Sequence, residues 1–168
     1  SLNGNHELMN IMGNFSYVSK KSLYENRILS FKNNGIYNNI LAYRPLVVKV
    51  NDLIFCHAGI KKEHLDILDK YNKDIFYIND IWKKFVLQNK VDLIDKEIFE
   101  KIILGDNGII WTRKLNDEND INYVLKKLNC SFMFVGHNTV ENIILLYNIW
   151  FVDSGISRSY GKKNFEYL

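Results

Sequence analysis

The spacing of apolar positions along this chain changes several times, and each change marks an element. Arg44 to Val50 (RPLVVKV) and Leu53 to Cys56 (LIFC) are short runs rich in β-branched and aromatic residues. Asn51-Asp52 between them is a two-residue turn, which predicts an antiparallel hairpin. Lys62 to Asn72, Ile78 to Gln88 and Asp95 to Leu104 repeat their apolar residues at helical spacing, with Asp80 and Asp95 near helix starts as caps. This block, 62–104, reads as a helical cap or insertion. Asp117 to Leu128 predicts a further helix, and Ser131 to Val135 (SFMFV) the strand after it. Ile143 to Tyr147 and Ile149 to Val152 are two more strands, so close together that Asn148 sits in a tight turn. Upstream, Tyr17, Leu23, Tyr24, Ile28 and Leu29 predict a poorly capped helix between Tyr17 and Phe31, ended by Asn33-Asn34-Gly35.

At 168 residues the chain can bury one real core but not comfortably two. A composition 47% hydrophobic and 14% aromatic excludes disorder, despite heavy use of Asn and Lys. That bias reads as a preference for AT-rich codons, which discounts individual asparagines as signals. The net charge of +3 is mild, and the lysines come as scattered pairs such as Lys61-Lys62, Lys83-Lys84, Lys126-Lys127 and Lys162-Lys163. A nucleic-acid surface would be denser and interleaved with exposed aromatics, so solvated helix faces account for the pairs and no nucleic-acid partner is expected. Cys56 and Cys130 sit in or beside apolar runs and read as free thiols. No apolar run reaches the length of a membrane span. A chain that begins Ser-Leu reads as a fragment, with any targeting segment upstream.

Three of the four histidines share one structural address. His57 follows a strand and precedes Ala58-Gly59; His137 follows a strand through Gly136; His6 lies in Gly4-Asn5-His6-Glu7. In α/β sheets, ligands collect beyond the carboxyl ends of the strands, and small neighbours let backbone and ligand approach closely. A lone strand-end histidine is more often a hydrogen-bonded structural residue, but three at matched addresses favour a metal or catalytic site. His64 has no glycine neighbours and is assigned to a helix surface.

Gly4-Asn5-His6-Glu7, then His57-Ala58-Gly59, then Gly136-His137 together resemble the calcineurin-like metallophosphoesterases, the binuclear-metal phosphatases, in motif and in order. The full GNHELMN, the segment RPLVVKVNDLIFCHAGI, Gly108 to Arg113 (GIIWTR), Val152 to Ile156 (VDSGI) and Ser159-Tyr160-Gly161 resemble the Shewanella-like branch of that family. The resemblance implies an α/β fold, a metallophosphatase-type β-sandwich flanked by helices and entered partway through. It implies that Asn5, His57 and His137 bind one metal, that His6 protonates the leaving alkoxide, and that Arg113 clamps phosphoryl oxygens with its planar fork. Glu7 would be a supporting residue rather than a ligand, and Tyr160 would border the substrate pocket.

The sequence also departs from the family. Its two earlier motifs, Gly-Asp-x-His-Gly and Gly-Asp-x-x-Asp-Arg-Gly, are not in this chain; Gly105-Asp106-Asn107-Gly108 lacks their completion, stands in the wrong order and reads as a turn. Asn14 stands where the branch tends to have aspartate, and Ala58 where it has glycine. The resemblance implies two divalent ions (Mn, Fe or Zn) in a full-length protein, of which this chain supplies ligands for only one. The expectation is therefore the C-terminal part of a metal-dependent phosphoprotein phosphatase, inactive by itself, with an open sheet edge that invites pairing with another chain. The alternatives are a dinucleoside polyphosphatase on the same scaffold and a phosphatase-like binding domain without catalysis. Retention of His6 and Arg113 argues against the second.

Overall fold

β1 (Val47–Val50) pairs antiparallel with β2 (Leu53–Cys56), and Asn51 takes the left-handed φ of 55° that the turn between them requires. The molecule is a computed structural model in which residues 1–155 are described. Tyr160 and the Ser159-Tyr160-Gly161 motif lie outside the described residues. After a long helical crossover, β3 (Phe132–Val135) lies parallel to β2, and β5 (Ile149–Phe151) lies parallel to β3 on its other side. β4 (Ile144–Leu146) closes back antiparallel on β5 through Tyr147 and Asn148, whose φ values of 51° and 61° mark a two-residue hairpin turn. The sheet order is β1-β2-β3-β5-β4. This is the expected α/β arrangement, built among the described residues on one five-stranded sheet.

Seven helices accompany the sheet among the described residues: α1 (Asn5–Ile11), α2 (Glu25–Phe31), α3 (Ile36–Ala42), α4 (Lys62–Lys70), α5 (Tyr77–Gln88), α6 (Lys96–Ile98) and α7 (Glu118–Leu128). A 3₁₀ turn, Leu93–Asp95, leads into α6, which continues as a π-helical turn, Phe99–Leu104. None of them is long and apolar enough to cross a membrane. Asp117 caps α7 by accepting the Asn119 and Asp120 N–H groups on its side chain.

One face of the sheet is the core. Val47, Ile54, Cys56, Met133, Val135, Ile149 and Phe151 point inward against Leu65 and Leu68 of α4, Ile78, Ile81 and Trp82 of α5, and Ile121, Val124 and Leu125 of α7. Each such aliphatic side chain contributes about 1.5–3 kcal/mol by leaving water. The period of two sends the alternate residues to the opposite face. There Val48, Phe55, Phe134, Trp150 and Leu145 stand in register across all five strands. Phe55 and Phe134 stack at 4.8 Å and Phe134 and Trp150 at 6.3 Å. All three aromatics are only half-buried, and Leu145 is 46% exposed.

Two expectations need correction, and one helix lies where none was expected. Between Tyr17 and Phe31 only Glu25–Phe31 is α-helical, after a 3₁₀ turn at Lys20–Ser22. Tyr17, Leu23 and Tyr24 are exposed, so no buried stripe holds a longer helix together. α3 was not foreseen. It is fixed by distant partners: Asn38 Nδ2 donates to Val86 O and Trp82 Nε1 to Leu41 O, both at 2.9 Å. His64, assigned to the surface, is 1% exposed. Its Nδ1 accepts the Lys61 N–H at 3.2 Å and its Nε2 donates to Asn107 O at 2.8 Å. Both ring nitrogens are thus satisfied, and burial pushes its pKa down to about 4.

Candidate functional site

β2, β3 and β5 run parallel and end side by side, so the residues after them meet at one rim of the sheet. His57 follows β2, Gly136-His137 follow β3 and Val152-Asp153 follow β5. The ladder continues past the strands: Gly136 N–H donates to His57 O at 2.8 Å and Val152 N–H to Val135 O at 2.9 Å. His137 then leaves it with φ 59°, a left-handed conformation that histidine, like asparagine and aspartate, adopts more readily than most residues.

α1 carries the other two residues to the same rim. The Asn3 side chain donates to Leu41 O and Arg44 O and pins the approach. Glu7 Oε2 accepts the Gly4 N–H at 2.8 Å, closing the first turn, so Glu7 supports the corner as expected. Asn5 and His6 follow at once, Asn5 buried and His6 exposed, its ring stacked on Tyr17 at 5.3 Å.

Three donor atoms converge here. Asn5 Oδ1 is 2.9 Å from His57 Nε2, which is 3.2 Å from His137 Nδ1. The other nitrogen of His137, Nε2, lies 3.1 Å from Trp111 O. A carbonyl only accepts, so Nε2 carries the proton, and Nδ1 turns its lone pair to His57. Burial pushes His57 down to about 4, aided by the nearby His137, His6 and Arg113 and opposed by Asp153. His137 is also held below its ordinary value, by burial first and then by Arg113. Both imidazoles are therefore neutral near pH 7, the form that binds metals.

Donors roughly 3 Å apart match neighbouring corners around an ion bound at about 2.1 Å. The backbone carbonyl behind His137 is the outer partner that commonly orients a ligating imidazole. The residues thus fit a divalent ion, with two imidazoles and one amide oxygen. Among the described residues no cluster of three or more His, Cys, Asp or Glu side chains stands ready for a metal.

Arg113 reaches the same rim, its Nη1 donating to His137 O at 3.1 Å while the residue stays exposed. Its segment is laced to the strand ends. Ile109 O accepts the Ala58 and Gly59 N–H groups at 2.9 and 3.2 Å, and Asn138 Nδ2 donates to Thr112 O at 3.3 Å. The five residues singled out from the sequence, Asn5, His6, His57, Arg113 and His137, therefore sit together.

Two neighbours were missed. Asp153 stands at the end of the third parallel strand, fixed by Gly155 N–H to Oδ1 at 3.1 Å, and its charge favours protonation of both His57 and His137. It has the same strand-end address as the histidines, a signal present in the sequence. Asn10 is one helical turn from His6; its Nδ2 donates to His6 O at 2.7 Å and its Oδ1 accepts from Arg27 Nη2 at 3.3 Å. Nothing in the sequence joins Asn10 to Arg27.

No protein-family model matches the chain. In sequence it is similar to Shewanella-like protein phosphatase 1 of Plasmodium berghei (strain Anka), 30% identical over 153 residues, covering 80% of this chain and 40% of that protein. It is also similar to Shewanella-like protein phosphatase 2 of Arabidopsis thaliana, 26% identical over 193 aligned positions, covering 85% of this chain and 45% of that one. Its fold is similar to the cold-active protein-tyrosine phosphatase of a psychrophilic Shewanella species, with a TM-score of 0.74 at 22% identity, covering 96% of this chain and 50% of that one. The chain thus spans half or less of the length of these proteins. Sequence and fold together make this chain a relative of the Shewanella-like protein phosphatases, among the calcineurin-like metallophosphoesterases.

Proposed function

We propose that the protein hydrolyses phosphomonoesters of phosphoproteins with a metal-activated water, and that this chain carries one metal subsite and the leaving-group side of the reaction. The observation that carries the reading is the convergence of Asn5 Oδ1, His57 Nε2 and His137 Nδ1, with His6 and Arg113 at the same rim. A divalent ion held there would supply a Lewis acid for a phosphoryl oxygen. Arg113 binds the phosphoryl group through two N–H donors, its exposed guanidinium held over the rim by His137 O. His6 donates a proton to the departing ester oxygen; its exposed ring reaches substrate, and Tyr17 steadies its plane. Trp111 O holds the proton on His137 Nε2 and so keeps Nδ1 free for the ion.

These three donors are all neutral, and the second ion of a two-metal site needs carboxylate ligands that the set does not contain. Residues 1–168 alone are therefore expected to be inactive. Among the described residues β4 is an edge strand, its Ile144, Leu145 and Leu146 all at least 43% exposed, to which a further strand can add. The test is Mn²⁺-stimulated hydrolysis of an aryl phosphate by the full-length protein, its His57→Ala variant and the 168-residue chain. Activity is expected only from the first. Undiminished Mn²⁺-dependent activity in His57→Ala refutes the metal assignment, and robust turnover by the isolated chain refutes its incompleteness.

A further inference from the structure

A cavity of about 360 Å³ opens between α1 and α2, walled by His6, Asn10, Asn14, Tyr17, Arg27 and Phe31. His6 belongs both to this wall and to the metal rim, so the cavity lies on the side where the ester oxygen departs. Whatever enters it belongs to the substrate beyond the scissile bond.

The cation in this cavity is Arg27. Its guanidinium carries five N–H donors. Among the described residues it makes a single hydrogen bond, Nη2 to Asn10 Oδ1, and no ion pair. Its Nε is buried without a partner. Phe31 lies against the guanidinium at 5.2 Å, which keeps water from one side. Glu7 also lines the cavity, but its Oε2 is committed to the Gly4 N–H. By contrast, Lys61, Lys62, Lys84, Lys101 and Lys127 each already have a carboxylate. A half-buried guanidinium with no carboxylate among the described residues gains more from an incoming one than these solvated lysines would.

We propose that this cavity is a substrate-recognition pocket in which Arg27 binds an acidic side chain flanking the phosphorylated residue, so that the protein prefers acidic phosphopeptides. The inference rests on the phosphatase reading, which sets His6 at the leaving group. Asn10 ties the two functions together, since one side chain holds both the His6 carbonyl and the Arg27 guanidinium.

The test reads binding, so it does not depend on turnover. Two fluorescein-labelled peptides carry a non-hydrolysable phosphonate, one with flanking glutamates and the other with glutamines at the same positions. Their affinities for the 168-residue chain are measured by anisotropy, in Mn²⁺ and in EDTA. The acidic peptide is expected to bind about tenfold more tightly. The preference should fall below twofold in Arg27→Ala, be partly kept in Arg27→Lys, and persist in His57→Ala. Equal affinities, or no binding of either peptide, in the unaltered chain overturn the proposal without reference to any variant's folding. So does a preference that survives Arg27→Ala, because it would come from net charge alone. Loss of catalysis in the full-length protein with the preference intact would instead strike the phosphatase reading and leave the pocket standing.

Discussion

A β-carbon on Gly4 would stand 2.6–2.7 Å from three atoms of the His57 ring. Glycine before Asn5 is therefore a condition for the imidazole to lie where it does. Gly4→Ala is expected to displace His57, weakening Mn²⁺ binding by roughly tenfold or more and costing about 1–3 kcal/mol of stability, as for other overpacked sites. Calorimetric titration and chemical denaturation measure the two effects; an alanine variant matching the parent in both would show that the ring has room to move.

The donor set predicts weak but specific metal stabilisation. Added Mn²⁺ should raise the melting temperature of the chain, with about 2.7 kcal/mol gained once the ion exceeds its dissociation constant a hundredfold. Asn5→Ala and His57→Ala should abolish the rise, and His64→Gln should leave it intact. Thermal scans across a Mn²⁺ series decide this, and a rise retained in both Asn5→Ala and His57→Ala would place the ion elsewhere.

His6 predicts a dependence on the leaving group. In the full-length protein, His6→Ala should slow an alkyl phosphate by about 10²–10⁴-fold. The effect on p-nitrophenyl phosphate should be much smaller, because nitrophenolate departs without a proton. The exposed position of His6 makes unfolding an unconvincing explanation for any loss. Equal losses on both substrates would remove the proton-donor role.

His64 predicts acid sensitivity. The folded chain holds it at about 4, below its ordinary value near 6.5, so at mildly acid pH the unfolded chain binds a proton that the folded chain refuses. Stability should therefore be full above about pH 6.5 and decline as pH falls to about 4, by up to about 3 kcal/mol from this group. Urea unfolding across that range tests it: His64→Gln should flatten the slope, and an unchanged slope would assign the loss to other groups.

Much of the fold was legible where local chemistry decides it. The β1–β2 hairpin announced itself through β-branched runs and Asn51. The clustering of the candidate residues was legible because three separate strand or helix corners carry histidine beside small residues. Discounting asparagine was a mistake: Asn34, Asn51, Asn72, Asn89, Asn129 and Asn148 all take positive φ, two of them ending α5 and α7. The fold uses asparagine's tolerance of the left-handed region at these positions. Other features were illegible for a physical reason. The burial of His64 depends on Asn107, 43 positions away, and α3 on Val86 and Trp82 of α5. Such partners are chosen by tertiary packing, and local periodicity carries no trace of them.

The convergence of the three parallel strand ends also has a kinetic meaning. His57 lies 52 positions from Asn5 and 80 from His137, and the pairing of β2 with β3 encloses the whole crossover between them. Contacts so distant in sequence form late, after the entropy of closing large loops has been overcome. A divalent ion at this rim would therefore engage the chain only near the end of its folding, and its uptake would time the final step of assembly.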